Sequence, residues 1–104
     1  MSVFTPVYGW AVDMATDPQV RRYTIVTDDG VGLAVEDYGS VDAEHTVYFW
    51  HGLCLSKLAW TPQIRLLRSI FGDQVRMVAV DHRGHGHSDT AAMASYTIAQ
   101  LGRD

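Results

Sequence analysis

Thr46-Val47-Tyr48-Phe49-Trp50-His51-Gly52-Leu53 and Val75-Arg76-Met77-Val78-Ala79-Val80-Asp81-His82-Arg83-Gly84-His85-Gly86-His87-Ser88-Asp89 are the two stretches whose reading decides the fold of this chain. Each starts as a short apolar run and stops abruptly in glycine and histidine. Apolar runs of this length, with Arg76 the exception, are expected of strands covered on both faces of a sheet. Between them Trp60, Ile64, Leu67 and Phe71 recur at helical spacing. Leu66 and Ile70 widen that stripe, and Arg65 and Arg68 are expected to face away from it. Pro62 suits the first turn of such a helix, Thr61 is placed to cap it, and Gly72 stands where it should stop. Strand, helix and strand at this spacing predict a βαβ unit, with polar residues gathered at the carboxyl ends of parallel strands.

Working outward, Tyr23, Ile25 and Thr27 alternate with Thr24, Val26 and Asp28, and Asp29-Gly30 separates this run from Val31, Leu33, Val35 and Asp37. Two alternating runs about Asp-Asp-Gly predict a β-hairpin, and Gly39 to Glu44 read as a polar loop. Residues 1–20 form an N-terminal lead-in with a short helix around Trp10 to Ala15, and residues 21–104 form the structured portion. Tyr96 to Leu101 look like the first turns of another helix. The expected fold class is therefore α/β: an N-terminal β-hairpin followed by a βαβ unit of a mostly parallel sheet.

The 104 residues suffice for one domain at most, and 47% apolar with 19% charged residues describes a globular segment. A net charge of -4 without a run of Lys or Arg provides no electrostatic footprint for nucleic acid or an anionic membrane. The single cysteine, Cys54, excludes an internal disulfide framework and a multi-cysteine metal site. Asp13 and Asp17 interrupt the opening residues, which have no basic stretch before an apolar one, so neither a signal peptide nor a membrane span is expected. A cytoplasmic location follows as the default.

Chemistry is expected where the strands end. Gly52, having no Cβ, lets the backbone turn sharply after His51 and aim the Leu53 N–H out of the sheet. Fixed donors of this kind form half of an oxyanion hole, each contributing about 3 to 4 kcal/mol of transition-state stabilisation. Taken alone, His51-Gly52 is more often a strand-ending turn with a packed histidine. Gly86-His87-Ser88-Asp89-Thr90 begins like a nucleophile elbow, but Thr90 stands where the second glycine belongs, and Ser88 reads better as a loop hydroxyl bonding local backbone. His82, His85 and His87 could suggest a metal site, yet alternate residues on an extended loop diverge. Cys54 near His51 raises a Cys-His pair, although packing beneath the turn is the commoner fate of such a cysteine. Trp10, Trp50 and Trp60 read as core and pocket-wall residues.

The pattern Asp-x-Arg-Gly-x-Gly-x-Ser-Asp at Asp81 to Asp89, one βαβ unit after His51-Gly52, resembles the N-terminal part of α/β-hydrolase-fold enzymes, the esterase, lipase, epoxide-hydrolase and dehalogenase group. The resemblance runs from about Arg21 to Asp104 and implies a partial α/β-hydrolase fold. It implies that the backbone N–H of Leu53 is one oxyanion donor, that His51 and Gly52 shape the substrate side of the turn, and that Asp81, Arg83, Gly84, Gly86 and Ser88 brace the loop. It implies hydrolysis of an ester or related bond through a Ser-His-Asp triad, a small acyl or ester-type substrate, and no cofactor or metal. It places nucleophile, acid and base after Asp104, so that none is expected in this chain and a C-terminal hydrolase half becomes the natural partner. Two other readings remain open: a non-catalytic small-ligand binding module, and an interaction protein that offers its unfinished sheet edge to a partner strand.

Overall fold

The computed structural model describes residues 20–104; the lead-in, with the helix expected around Trp10 to Ala15, lies outside them except for Val20. Within the described part, β1 (Arg21–Val26) and β2 (Gly32–Tyr38) are followed by β3 (His45–Trp50), α1 (Thr61–Phe71), β4 (Val75–Val80) and α2 (Ile98–Arg103). Single 3₁₀ turns at Lys57–Trp60, Gly72–Gln74 and Met93–Ser95 link them.

The strands form a four-stranded sheet in the order β1-β2-β4-β3. The hairpin pairs antiparallel, with Tyr23 opposite Val35 and Ile25 opposite Leu33, and β2 continues antiparallel onto β4. The expected parallel pairing is that of β3 with β4, from His45 opposite Val75 to Trp50 opposite Val80. Crossing from β3 to β4 through α1 carries the chain over one face. Because β4 lies inside the sheet, β3 becomes the edge.

Side-chain alternation then sorts the apolar residues into two clusters. Tyr38, Phe49, Met77 and Ala79 meet Ile64 of α1, with Trp60, Leu67, Val75 and Val20 packed around them. Phe49 and Trp60 touch at 5.3 Å between ring centroids. On the opposite face Val31, Leu33, Val35, Val78 and Val80 are buried with Ala91 alongside, but no helix of the described residues lies over β3 there. Tyr48 is consequently 62% exposed and Trp50 41%. The strand whose sequence asks for cover on both faces is covered on one.

Three details of α1 correct the sequence reading. Leu66 and Ile70 are exposed, since at 3.6 residues per turn they lie roughly 160° and 120° around the helix from buried Ile64. Arg68, one turn beyond Ile64, does not face away: its side chain is only 9% exposed and pairs with Asp73 at 3.3 Å. Thr61 occupies the first helical turn instead of capping it, and the cap interaction moves upstream, where Ser56 accepts the Leu58 N–H ahead of the Lys57–Trp60 turn. Gly72 does end the helix, with φ +56. Near the end of the chain Thr97 caps α2 by accepting the Gln100 N–H, which starts the helix two residues later than its sequence suggests.

Arg76, the polar break in the apolar run of β4, has a buried counterpart. It reaches Asp37 of β2 through Nε at 2.9 Å and Nη2 at 2.6 Å, and Tyr23 and Arg21 donate to the same carboxylate. Burial pushes the Asp37 carboxyl up, but the hydrogen bonds from Arg76, Tyr23 and Arg21 outweigh it and hold the group below its ordinary range.

Candidate active site

Since Trp50 pairs with Val80 at the ends of two parallel strands, the segments that follow them, His51-Gly52-Leu53 and Asp81-His82, emerge side by side. His51 is buried, and both of its ring nitrogens are used: Nε2 accepts the His82 backbone N–H at 3.0 Å, and Nδ1 donates to the Gly52 carbonyl at 2.7 Å. The acceptor role of Nε2 places the proton on Nδ1. The His82 ring returns the contact through Nε2, 3.0 Å from the His51 carbonyl, while Trp50 stacks on it at 5.1 Å. Burial, with the neighbouring His51, pushes the His82 imidazole below its ordinary value of 6.5 and favours the neutral ring.

Leu53 and Cys54 form the middle of a turn closed by the Leu55 N–H on the Gly52 carbonyl at 3.2 Å. The left-handed residue of this turn is Cys54, φ +64, and not Gly52. A Cβ built on Gly52 would meet only Leu55, at an ordinary 3.5 Å, so the glycine freedom expected at Gly52 is not what bends the chain. Cys54 is exposed, not packed beneath the turn, and its N–H donates to His85 Nε2 at 3.1 Å. Leu53 is exposed, and its N–H has no hydrogen bond to any described residue.

The loop after β4 is braced throughout. The buried Asp81 carboxylate accepts the Lys57 N–H at 2.6 Å, Lys57 Nζ at 2.7 Å and the His87 N–H at 2.9 Å. These bonds, led by the one from the Lys57 side chain, overcome the effect of burial and hold Asp81 below its ordinary value. Gly86, at φ +51, lies so close that a Cβ there would collide with the Asp81 carboxylate. Ser88 Oγ donates to the Asp81 carbonyl at 2.7 Å and accepts the Ala34 N–H at 2.8 Å, while Asp89 accepts the Gly32 N–H at 3.0 Å. The Ser88 hydroxyl thus ties the loop to β2. Arg83, fully buried, forks onto Asp29 at 2.8 and 2.9 Å and onto Asp104 at 2.7 and 2.5 Å, joining the hairpin turn to the end of α2.

Between the strand ends and the start of α2 opens a largely apolar cleft of about 410 Å³, lined among others by His51, Leu53, His82, His85, Tyr96 and Ile98. His82 and His85 do not diverge as an extended loop would have them. Their rings converge on His51, at 4.5 and 5.1 Å between centroids, because the glycines around His85 coil the loop back. His87 alone points away, its Nδ1 3.2 Å from Lys57 Nζ. Among the described residues the group of ligand atoms within reach of one ion is Asp28, Asp29 and Asp104, and Arg83 already neutralises two of these carboxylates. Lys57, Asp29 and Asp104 are the site-bracing residues that the sequence reading missed. Lys57 carries no motif of its own, and only the need of a buried Asp81 for a counter-charge could have drawn attention to it.

The arrangement of hairpin, helix-crossed parallel strands and braced glycine loop is a partial α/β-hydrolase fold. The chain superposes on an epoxide hydrolase of Vigna radiata with a TM-score of 0.69 and 30% identity, over 83% of this chain and 25% of that one. An epoxide hydrolase from metagenomes of hot environments gives 0.66 and 33%, over 78% and 26%, and an esterase of Exiguobacterium antarcticum 0.65 and 25%, over 80% and 28%. The chain spans about a quarter of the length of these structures. It matches no protein-family model and no curated protein. Fold, motifs and these neighbours agree in a resemblance to the α/β-hydrolase-fold family.

Proposed function

We propose that this chain supplies the oxyanion side of an α/β-hydrolase active site, with the backbone N–H of Leu53 as donor and His51 and Gly52 shaping the substrate side. The observation that carries the reading is a Leu53 N–H with no hydrogen-bond partner among the described residues, on a turn at the carboxyl end of β3 that borders an apolar cleft. A pocket with few polar groups suits a small acyl, ester or epoxide-type substrate. The neighbours include both epoxide hydrolases and an esterase, and the cleft does not choose between them. On this reading nucleophile, acid and base belong to residues other than these 104, residues 21–104 are a portion of one domain, and the isolated chain does not turn over. His51 cannot act as base with both nitrogens engaged, and Ser88 spends its hydroxyl on Asp81 and Ala34. No helix of the described residues is long and apolar enough to cross a membrane, and a cytoplasmic location belongs to the same proposal.

The natural partner is a C-terminal hydrolase half adding its strand to the open edge of β3. The test is complementation: co-expression with a segment of a related hydrolase that carries the remaining strands and the Ser-His-Asp triad, assayed on p-nitrophenyl acetate and on an aryl epoxide. Hydrolysis that requires both chains, and falls by about a hundredfold with Leu53→Pro but little with Leu53→Ala, supports the reading, because proline removes the donor and alanine keeps it. A folded two-chain complex indifferent to Leu53→Pro overturns it.

A further inference from the structure

The turn that carries Leu53 is held by an unusual anchor. Cys54 has a side chain yet sits at φ +64, a region that residues with a Cβ enter with difficulty. The Leu53 N–H that precedes it has no hydrogen bond among the described residues, and the Leu55 N–H is tied to Gly52 within the same turn. Among the described residues, what ties the centre of the turn to the loop after β4 is the Cys54 N–H on His85 Nε2 at 3.1 Å. The other nitrogen of that ring lies 2.9 Å from the Arg83 carbonyl, which accepts only if Nδ1 bears the proton. His85 is thereby fixed as the tautomer whose Nε2 is a bare lone pair. Gly84 and Gly86, at φ +72 and +51, turn the loop so that this ring reaches back across the cleft.

We infer that His85 is a positioning residue for the oxyanion turn: its neutral Nε2 holds the Cys54 amide, and through it the Leu53 peptide, and protonation of the ring releases the turn. The inference rests on the proposed function only in naming Leu53 as the oxyanion donor. A protonated Nε2 would present a hydrogen to the Cys54 N–H, replacing attraction by repulsion. The groups facing His85 are the rings of His51 after β3 and of His82 in its own loop, at 5.1 and 6.2 Å, with Tyr96 across the cleft from the segment leading into α2 and Arg83 also in the lining. No carboxylate among the described residues lines the cleft to hold an imidazolium in place. In the assembled hydrolase the consequence is a loss of kcat in acid that arises in the turn, separately from the titration of a catalytic base.

The experiment is residue-resolved hydrogen exchange by mass spectrometry on the 104-residue chain and two variants, a measurement that works in any state of assembly. His85→Phe keeps a ring and deletes the acceptor, whereas His85→Gln offers an amide oxygen in its place. The expected result is about a tenfold faster exchange of the Cys54 amide in His85→Phe, the equivalent of one net hydrogen bond, with Ser88 and Asp89 amides unchanged and partial recovery in His85→Gln. In the unaltered chain Cys54 protection, corrected for intrinsic rates, should fall on acidification, and this response should be missing from His85→Phe. Equal Cys54 exchange with and without the imidazole, or an acid response that survives in His85→Phe, overturns the inference. Should His85→Phe also unprotect Ser88 and Asp89, His85→Gln decides: Cys54 left fully unprotected there, with Ser88 and Asp89 intact, refutes the acceptor role, and recovered protection supports it. None of these readouts needs hydrolysis. Failed complementation alongside the expected exchange therefore refutes the oxyanion reading alone, and the converse refutes only the role of His85.

Discussion

Removing the Asp81 carboxylate should be among the most damaging single changes available to this chain. Asp81→Ala leaves the Lys57 ammonium, whose side chain is 5% exposed, without its counter-charge, and strips the acceptor from the Lys57 and His87 N–H groups. Breaking a buried pair costs about 3 to 5 kcal/mol, and the orphaned amides add to it unless water enters, so a loss of about 4 kcal/mol is expected. Lys57→Met is the informative contrast, because it leaves the carboxylate with two backbone donors and should cost about 2 kcal/mol. The double variant should cost little more than Asp81→Ala alone, a coupling of about 1 to 3 kcal/mol. Urea unfolding followed by far-ultraviolet circular dichroism, at several protein concentrations to separate self-association, measures all three. Equal losses in the two single variants, or strict additivity in the double one, would refute the view that the carboxylate is the hub of this loop and the lysine one of its spokes.

Ser88→Ala should cost about 1 to 3 kcal/mol by orphaning the Ala34 N–H, and should leave any esterase signal of the isolated chain at the buffer rate; turnover abolished by this change would restore Ser88 as nucleophile. Stability should decline in two stages on acidification. His82, depressed below 6.5 when folded, contributes stability that is full above that value and lost as pH falls through its folded value; Asp37, Asp81 and Asp104, depressed below 3.8, contribute stability lost only at more acidic pH. Melts between pH 7 and 3 check this, and a single loss confined below pH 4 would remove His82 from the account. Light scattering should find the isolated chain self-associated through the open edge of β3 and its exposed Tyr48 and Trp50. Tyr48→Lys should reduce this association, while Phe49→Lys should unfold the core around Trp60; a monodisperse chain with a sharp melt would favour a self-sufficient binding module.

The fold was legible in the sequence wherever local pattern and tertiary demand agree. Val75 to Val80, the hairpin about Asp29-Gly30 and the stop at Gly72 are read from periodicity and glycine placement, which do not depend on distant residues. Leu66, Ile70 and Arg68 misled because an apolar residue on the outer side of a helix still satisfies a loose stripe, and an arginine stem can lie along a core. At the site, the motif pointed to the strand ends, but the residues that set its geometry act across the chain. Cys54 rather than Gly52 takes the left-handed conformation, His85 reaches back to hold it, and Lys57 answers Asp81 from 24 positions away. No local pattern encodes such pairings, which appear only once β3 and β4 lie side by side.

The Arg83 fork has a kinetic meaning as well as a structural one. Arg83 binds Asp29 at the hairpin tip, 54 positions away, and Asp104, 21 positions away in the other direction, so the fork forms only after two loops have closed. A six-residue α2 is far too short to persist alone, and its docking has to wait for Asp29 to be in place. Hairpin tip, glycine loop and α2 should therefore appear together late in folding and open together in native-state fluctuations, as one cooperative unit whose weakest member sets the lifetime of all three.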